Sequence, residues 1–116
     1  MHSAYDQYPA LLGTVDELLA QYPGEQAVIL IGGDVFEGGN VLSKRSRGQA
    51  DLSLINALAQ RAPVIWNVGN HDFDVLSPQE LSDFTSAHHV TLVSNLLLRQ
   101  RGLYAPAWAK LPYQNM

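Results

Sequence analysis

The chain has 116 residues, 47% hydrophobic and 16% charged, with a formal net charge of −4 and no cysteine. That length is one domain or part of one, and the acidic balance excludes a general nucleic-acid or membrane-surface role, since either needs a basic face. Disulfides and thiolate metal sites are excluded too, and no apolar run approaches the roughly 20 residues that span a bilayer.

At the N-terminus, Met1-His2-Ser3-Ala4-Tyr5-Asp6 has no basic region followed by an apolar stretch, so no signal peptide is expected within these residues. Pro9 marks the first turn of a helix running to about Gln21. Leu11, Leu12, Val15, Leu18, Leu19 and Tyr22 recur at helical spacing and predict one apolar stripe facing the core, stopped by Pro23-Gly24. Ala27 to Ile31 reads as a buried strand. A polar, glycine-rich loop follows, from Gly32 to about Gln49. A second helix is predicted from about Asp51 to Arg61, with Leu52, Ile55, Leu58 and Ala59 inward. The second strand is Val64 to Val68.

Ser77-Pro78-Gln79-Glu80 is a capping-box pattern with proline at the first helical position, and it opens a third helix through about Ala87. Val90 to Ser94 is the third strand. The order α-β-α-β-α-β calls for a mainly parallel sheet with helices on its faces, an α/β fold. Leu96-Leu97-Leu98 and the apolar tail from Tyr104 to Met116 read as a connection toward a further strand. A three-stranded parallel sheet also leaves a face or an edge uncovered. The chain is therefore expected to be part of a larger domain, cut at both ends.

Two segments carry the chemistry. Gly32-Gly33-Asp34-Val35-Phe36-Glu37-Gly38 follows the first strand, and Gly69-Asn70-His71-Asp72-Phe73-Asp74 follows the second. The carboxyl ends of strands in an open α/β sheet converge on one crevice, where ligands bind. Asp34 and Asn70 are oxygen donors suited to a hard or borderline divalent ion. His71 is of the type that donates or accepts a proton beside such an ion, and Asp74 is placed to hold its imidazole in one tautomer.

These two segments resemble the signature blocks of the calcineurin-like metallophosphoesterases, and G-N-H-D-F-D is most similar to the 5′-nucleotidase branch. The resemblance implies a four-layer α/β/β/α catalytic domain, of which residues 1–116 would form the N-terminal part. It assigns Asp34 as the aspartate bridging two metals, Asn70 as a ligand of the second metal, His71 as the group protonating the leaving oxygen, and Asp74 as its orienting carboxylate. Val93-Ser94-Asn95-Leu96 is similar to the Ser-x-Asn stretch of nucleotidases. His2, 32 residues before Asp34, would be the histidine of the family's D-x-H block, with the aspartate just upstream of Met1. Of the family's metal ligands, His2, Asp34 and Asn70 have counterparts, and the later histidine blocks do not, since no histidine follows His89.

The implied cofactor is a pair of divalent ions (Mn, Zn, Fe, Mg or Ca). The implied reaction is hydroxide attack on phosphorus in a small phosphorylated substrate, a nucleotide first of all. Phosphodiesters and nucleotide sugars remain as substrates of the same scaffold, and an inactive remnant serving as a binding module is the reading from another class. Alone, the chain is expected to be inactive. Members of the branch are often periplasmic or extracellular, which leaves the compartment open. Asp72 is read as structural or solvent-facing, His88 and His89 as surface or core histidines, and Lys44-Arg45-Ser46-Arg47 as a solvated loop. No G-K-[ST] follows Gly38, so the glycine-rich loop is not a P-loop.

Overall fold

Short runs of β-branched and aromatic residues form the centre, where their side chains pack on a pleated surface. The computed structural model describes residues 5–22, 27–36, 45–46, 48–94, 97–98 and 102–103. Strands β1 (Ile29–Ile31), β2 (Val64–Asn67) and β3 (Thr91–Val93) lie side by side in that order. Both pairings are parallel, with Ile31 opposite Trp66 and Trp66 opposite Leu92. Helices α1 (Tyr8–Gln21), α2 (Gln49–Ala59) and α3 (Pro78–Ala87) complete the predicted alternation, and a short 3₁₀ turn, Tyr5–Gln7, leads into α1. The fold is thus the α/β class read from the sequence, with a parallel sheet and helices.

One core joins the inner face of the sheet to the helices. Trp66, Phe36, Ile55, Leu58, Leu81 and Val64 are all nearly or fully buried. The rings of Trp66 and Phe36 sit 6.0 Å apart between centroids. Ser77 caps α3 as its sequence pattern predicts: its hydroxyl accepts from the Glu80 N–H, and its own N–H donates to the Glu80 carboxylate, each at 3.1 Å.

The first helix departs from expectation. Leu11, Leu18 and Tyr22 are 37%, 51% and 57% exposed, so the predicted stripe is not all core. Together with Tyr8, the six apolar positions make two adjacent rows on the cylinder. The row Tyr8, Leu12, Val15 and Leu19 turns inward, whereas Leu11, Leu18 and Tyr22 turn outward. Polar contacts fix this rotation. Tyr5 and Tyr8 donate their hydroxyls to the buried Asp51 of α2 at 2.7 and 2.6 Å. Burial and the neighbouring Asp51 carboxylate push the Tyr8 phenol far above its ordinary pKa. At the far end of α2, Arg61 pairs with Asp16 at 2.6 Å, a surface contact of small energetic weight.

The second departure lies after β3. Leu97–Leu98 pairs antiparallel with Gly102–Leu103 as its own two-stranded ribbon, where an unpaired connection was expected. Pro23-Gly24 and the tail from Tyr104 lie outside the described residues. On the outer face of the parallel sheet Leu30 is 73% exposed, beside Ile65 and Thr91. Among the described residues no helix is long and apolar enough to cross a membrane.

Candidate active site

Beyond Ile31 the chain turns at once, and two residues make the turn. Gly33 takes φ 108° and Asp34 φ 51°. Both values lie in the left-handed region, open to glycine and tolerated by aspartate. A Cβ at Gly33 would come within 2.9 Å of the Asn67 carbonyl oxygen. A Cβ at Gly69 would run into the Asp34 carboxylate and lie 2.5 Å from the Asp34 nitrogen. The two strand-ending loops therefore pass each other backbone to backbone, which only glycine permits. Gly69→Ala is expected to cost about 1–3 kcal/mol in urea unfolding through this overpacking. Gly13→Ala, in open space on α1, should instead gain roughly 1 kcal/mol. Equal responses at the two positions would refute the tight passage.

The close passage brings the two motifs together. Asp34, half-buried, accepts the His71 backbone N–H on Oδ1 at 2.9 Å. After Gly69 the second motif winds into a 3₁₀ turn, Asn70–Phe73, with the Asp74 N–H bonded to the His71 carbonyl at 3.0 Å. That turn sets the His71 ring against Asp74, with Nδ1 2.8 Å from Oδ2. Both side chains remain accessible, 38% and 42% exposed. With Nδ1 committed to a carboxylate, proton exchange with a substrate falls to Nε2. Asn70 is exposed at the mouth of the same loop.

Asp72 is the residue that the sequence reading left undecided. It is fully buried. Oδ1 accepts from the Val35 and Phe36 N–H groups at 2.7 and 3.4 Å, and Oδ2 from Gly69 N–H at 2.8 Å and the Trp66 indole at 3.2 Å. Burial pushes its carboxyl pKa upward, while the Gly69, Val35 and Phe36 N–H groups and then the indole pull the other way. The sequence held one hint: strand-ending loops expose backbone N–H groups that need a buried acceptor.

Asp34, Asn70, His71 and Asp74 thus occupy adjoining loops, while His2, Lys44 and Arg47 lie outside the described residues. Among the described residues no group of three or more His, Cys, Asp or Glu comes together as a metal cluster. The carboxylate of Asp34 and the amide oxygen of Asn70 are hard donors that suit a divalent ion. They fit it as two ligands of a larger set.

The family model described as calcineurin-like phosphoesterase matches residues 1–108. Comparison with curated proteins and with solved structures gave no match. The matched family implies metal-dependent hydrolysis of phosphoric esters, and its members usually bind divalent metals.

Proposed function

This chain belongs to the calcineurin-like phosphoesterase family, and we propose that it carries part of a two-metal site hydrolysing small phosphorylated substrates, nucleoside 5′-monophosphates first. The observation that supports this is the clasp of the two strand-ending loops, with the Asp34 carboxylate on the His71 N–H and the His71 ring on Asp74. Asp34 and Asn70 would hold the divalent ions, which supply Lewis-acid stabilisation of phosphoryl oxygens and a nucleophile drawn from water at neutral pH. Asp34 would hold its ion from the left-handed turn that ends β1. His71 hands a proton from Nε2 to the departing nucleoside oxygen. Asp74 holds Nδ1 and keeps the ring in the orientation that makes this transfer direct.

The preference for nucleoside monophosphates rests on the resemblance of Gly69-Asn70-His71-Asp72-Phe73-Asp74 to the 5′-nucleotidase branch. Nothing else in these residues separates nucleoside monophosphates from cyclic nucleotides or nucleotide sugars. Mn²⁺ titration of the chain should show binding that Asp34→Asn weakens by at least tenfold, the scale of losing a ligating group. The active enzyme should release phosphate from AMP only with metal present and prefer AMP to a cyclic nucleotide. Binding indifferent to Asp34→Asn would end the metal-site reading, and preference for the cyclic substrate would end the nucleotidase one.

A second reading takes this chain alone as an inactive binding module, because Asp34 and Asn70 would be only two ligands of a larger set. Metal-dependent turnover by the purified 116-residue chain would eliminate it.

A further inference from the structure

We infer that Asp72 is a positioning residue of this site, bracing the Asp34 loop against the Asn70–His71 loop from underneath. The inference rests on the hydrolase reading above for the chemistry that Asp72 serves. Its two oxygens divide the work. Oδ1 takes the N–H groups of Val35 and Phe36, the two residues just after Asp34. Oδ2 takes the N–H of Gly69, the residue just before Asn70, and the indole of Trp66 beneath them. Asp34 returns the contact by accepting from His71. Each loop's aspartate therefore holds the other loop's backbone, one at the surface and one in the core.

An apolar side chain at position 72 would leave the Val35, Phe36, Gly69 and Trp66 N–H groups without their acceptor, and a buried carboxylate escapes its desolvation cost only when its oxygens are satisfied. Here both oxygens are satisfied, and among the described residues no buried side-chain nitrogen or oxygen lacks a partner. What the carboxylate adds over an apolar filler is direction. It fixes how far Asp34 stands from Asn70 and His71, a spacing to which metal ligation and catalysis are steep, since a displacement of about 1 Å can cost 10²-fold. Asp72 touches no substrate in this account; it acts through its neighbours.

The test pairs two readouts on the chain: amide hydrogen exchange and Mn²⁺ affinity. In Asp72→Asn, the His71 amide, which bonds to Asp34 and not to Asp72, should exchange about tenfold faster, while Leu58 and Leu81 keep their protection. Mn²⁺ affinity should fall by about 10–100-fold, the usual cost of losing a partner behind a ligand. If all amides accelerate by one common factor and Mn²⁺ affinity holds, Asp72 serves stability only and the inference is overturned. It is overturned equally if His71 exchange stays unchanged. Should Asp72→Asn not fold, Trp66→Phe removes one of the bonds and keeps the ring; it should speed His71 exchange locally by a smaller factor, and no change there sinks the inference. Asp34→Asn separates the two claims. Mn²⁺ binding indifferent to Asp34→Asn overturns the hydrolase reading itself, whereas binding that needs Asp34 and ignores Asp72 overturns this inference alone.

Discussion

In the active enzyme, His71→Ala is expected to lower kcat for AMP hydrolysis by about 10²–10⁴-fold, the range of a positioned general acid, and to leave Mn²⁺ affinity unchanged. The argument is geometric first. The 2.8 Å contact from Nδ1 to Asp74 commits one ring nitrogen and leaves proton transfer to the other. The ring is partly exposed, so a substrate oxygen has access to it. A general acid matters most when the leaving oxygen is a poor one. The loss should therefore shrink for p-nitrophenyl phosphate, whose leaving group departs without help. Asp74→Asn should give a milder loss, since it alters the ring's orientation and keeps the ring itself. An equal loss with both substrates would assign His71 to charge stabilisation, and no loss would remove it from the mechanism.

Trp66→Ala is expected to destabilise the chain by about 3–5 kcal/mol in urea unfolding followed by circular dichroism. Trp66 is completely buried, stands at the middle of the central strand and packs against Phe36. Its removal empties the largest volume in the core. It also takes the indole N–H from Asp72, whose cost adds about 1–3 kcal/mol if the oxygen is left unsatisfied. Against a typical domain stability of about 5–15 kcal/mol, such a loss leaves little. Trp66→Phe should cost much less, since it surrenders the bond and part of the volume. A loss below about 1 kcal/mol for Trp66→Ala would mean that the core closes over the gap.

The first two strands were legible because they are largely apolar runs next to glycine and proline, and the third helix because Ser77 and Glu80 spell out a reciprocal cap. Membership of the family was legible in two short motifs for the same kind of reason: their residues act at fixed local spacing. What was not legible depended on partners far along the chain. The rotation of α1 is set by Asp51, 43 residues from Tyr8, and periodicity alone could not choose between two neighbouring apolar rows. The burial of Asp72 depends on Val35, 37 residues away. An acid beside a phenylalanine in a loop carries no local sign of facing inward. The pairing of Leu97–Leu98 with Gly102–Leu103 was hidden by the brevity of both segments, too short for a period-2 pattern to show. Asp34, Asn70, His71 and Asp74 lie on adjoining loops, their roles being those proposed above, and His2 falls outside the described residues.

The order of the sheet has a bearing on how the chain comes into being. Each strand pairs with its predecessor in sequence, β1 with β2 and β2 with β3. A polypeptide leaving the ribosome N-terminus first can thus add its strands in the order of synthesis, with no need to wait for a distant partner. Among the described residues, the Asp72 carboxylate is bonded by Val35, Phe36, Trp66 and Gly69, and His71 is bonded to Asp34 and Asp74. The bonds that join the two loops are therefore expected to form on a nascent chain once Asp74 has left the ribosome, without waiting for α3 and β3 to emerge.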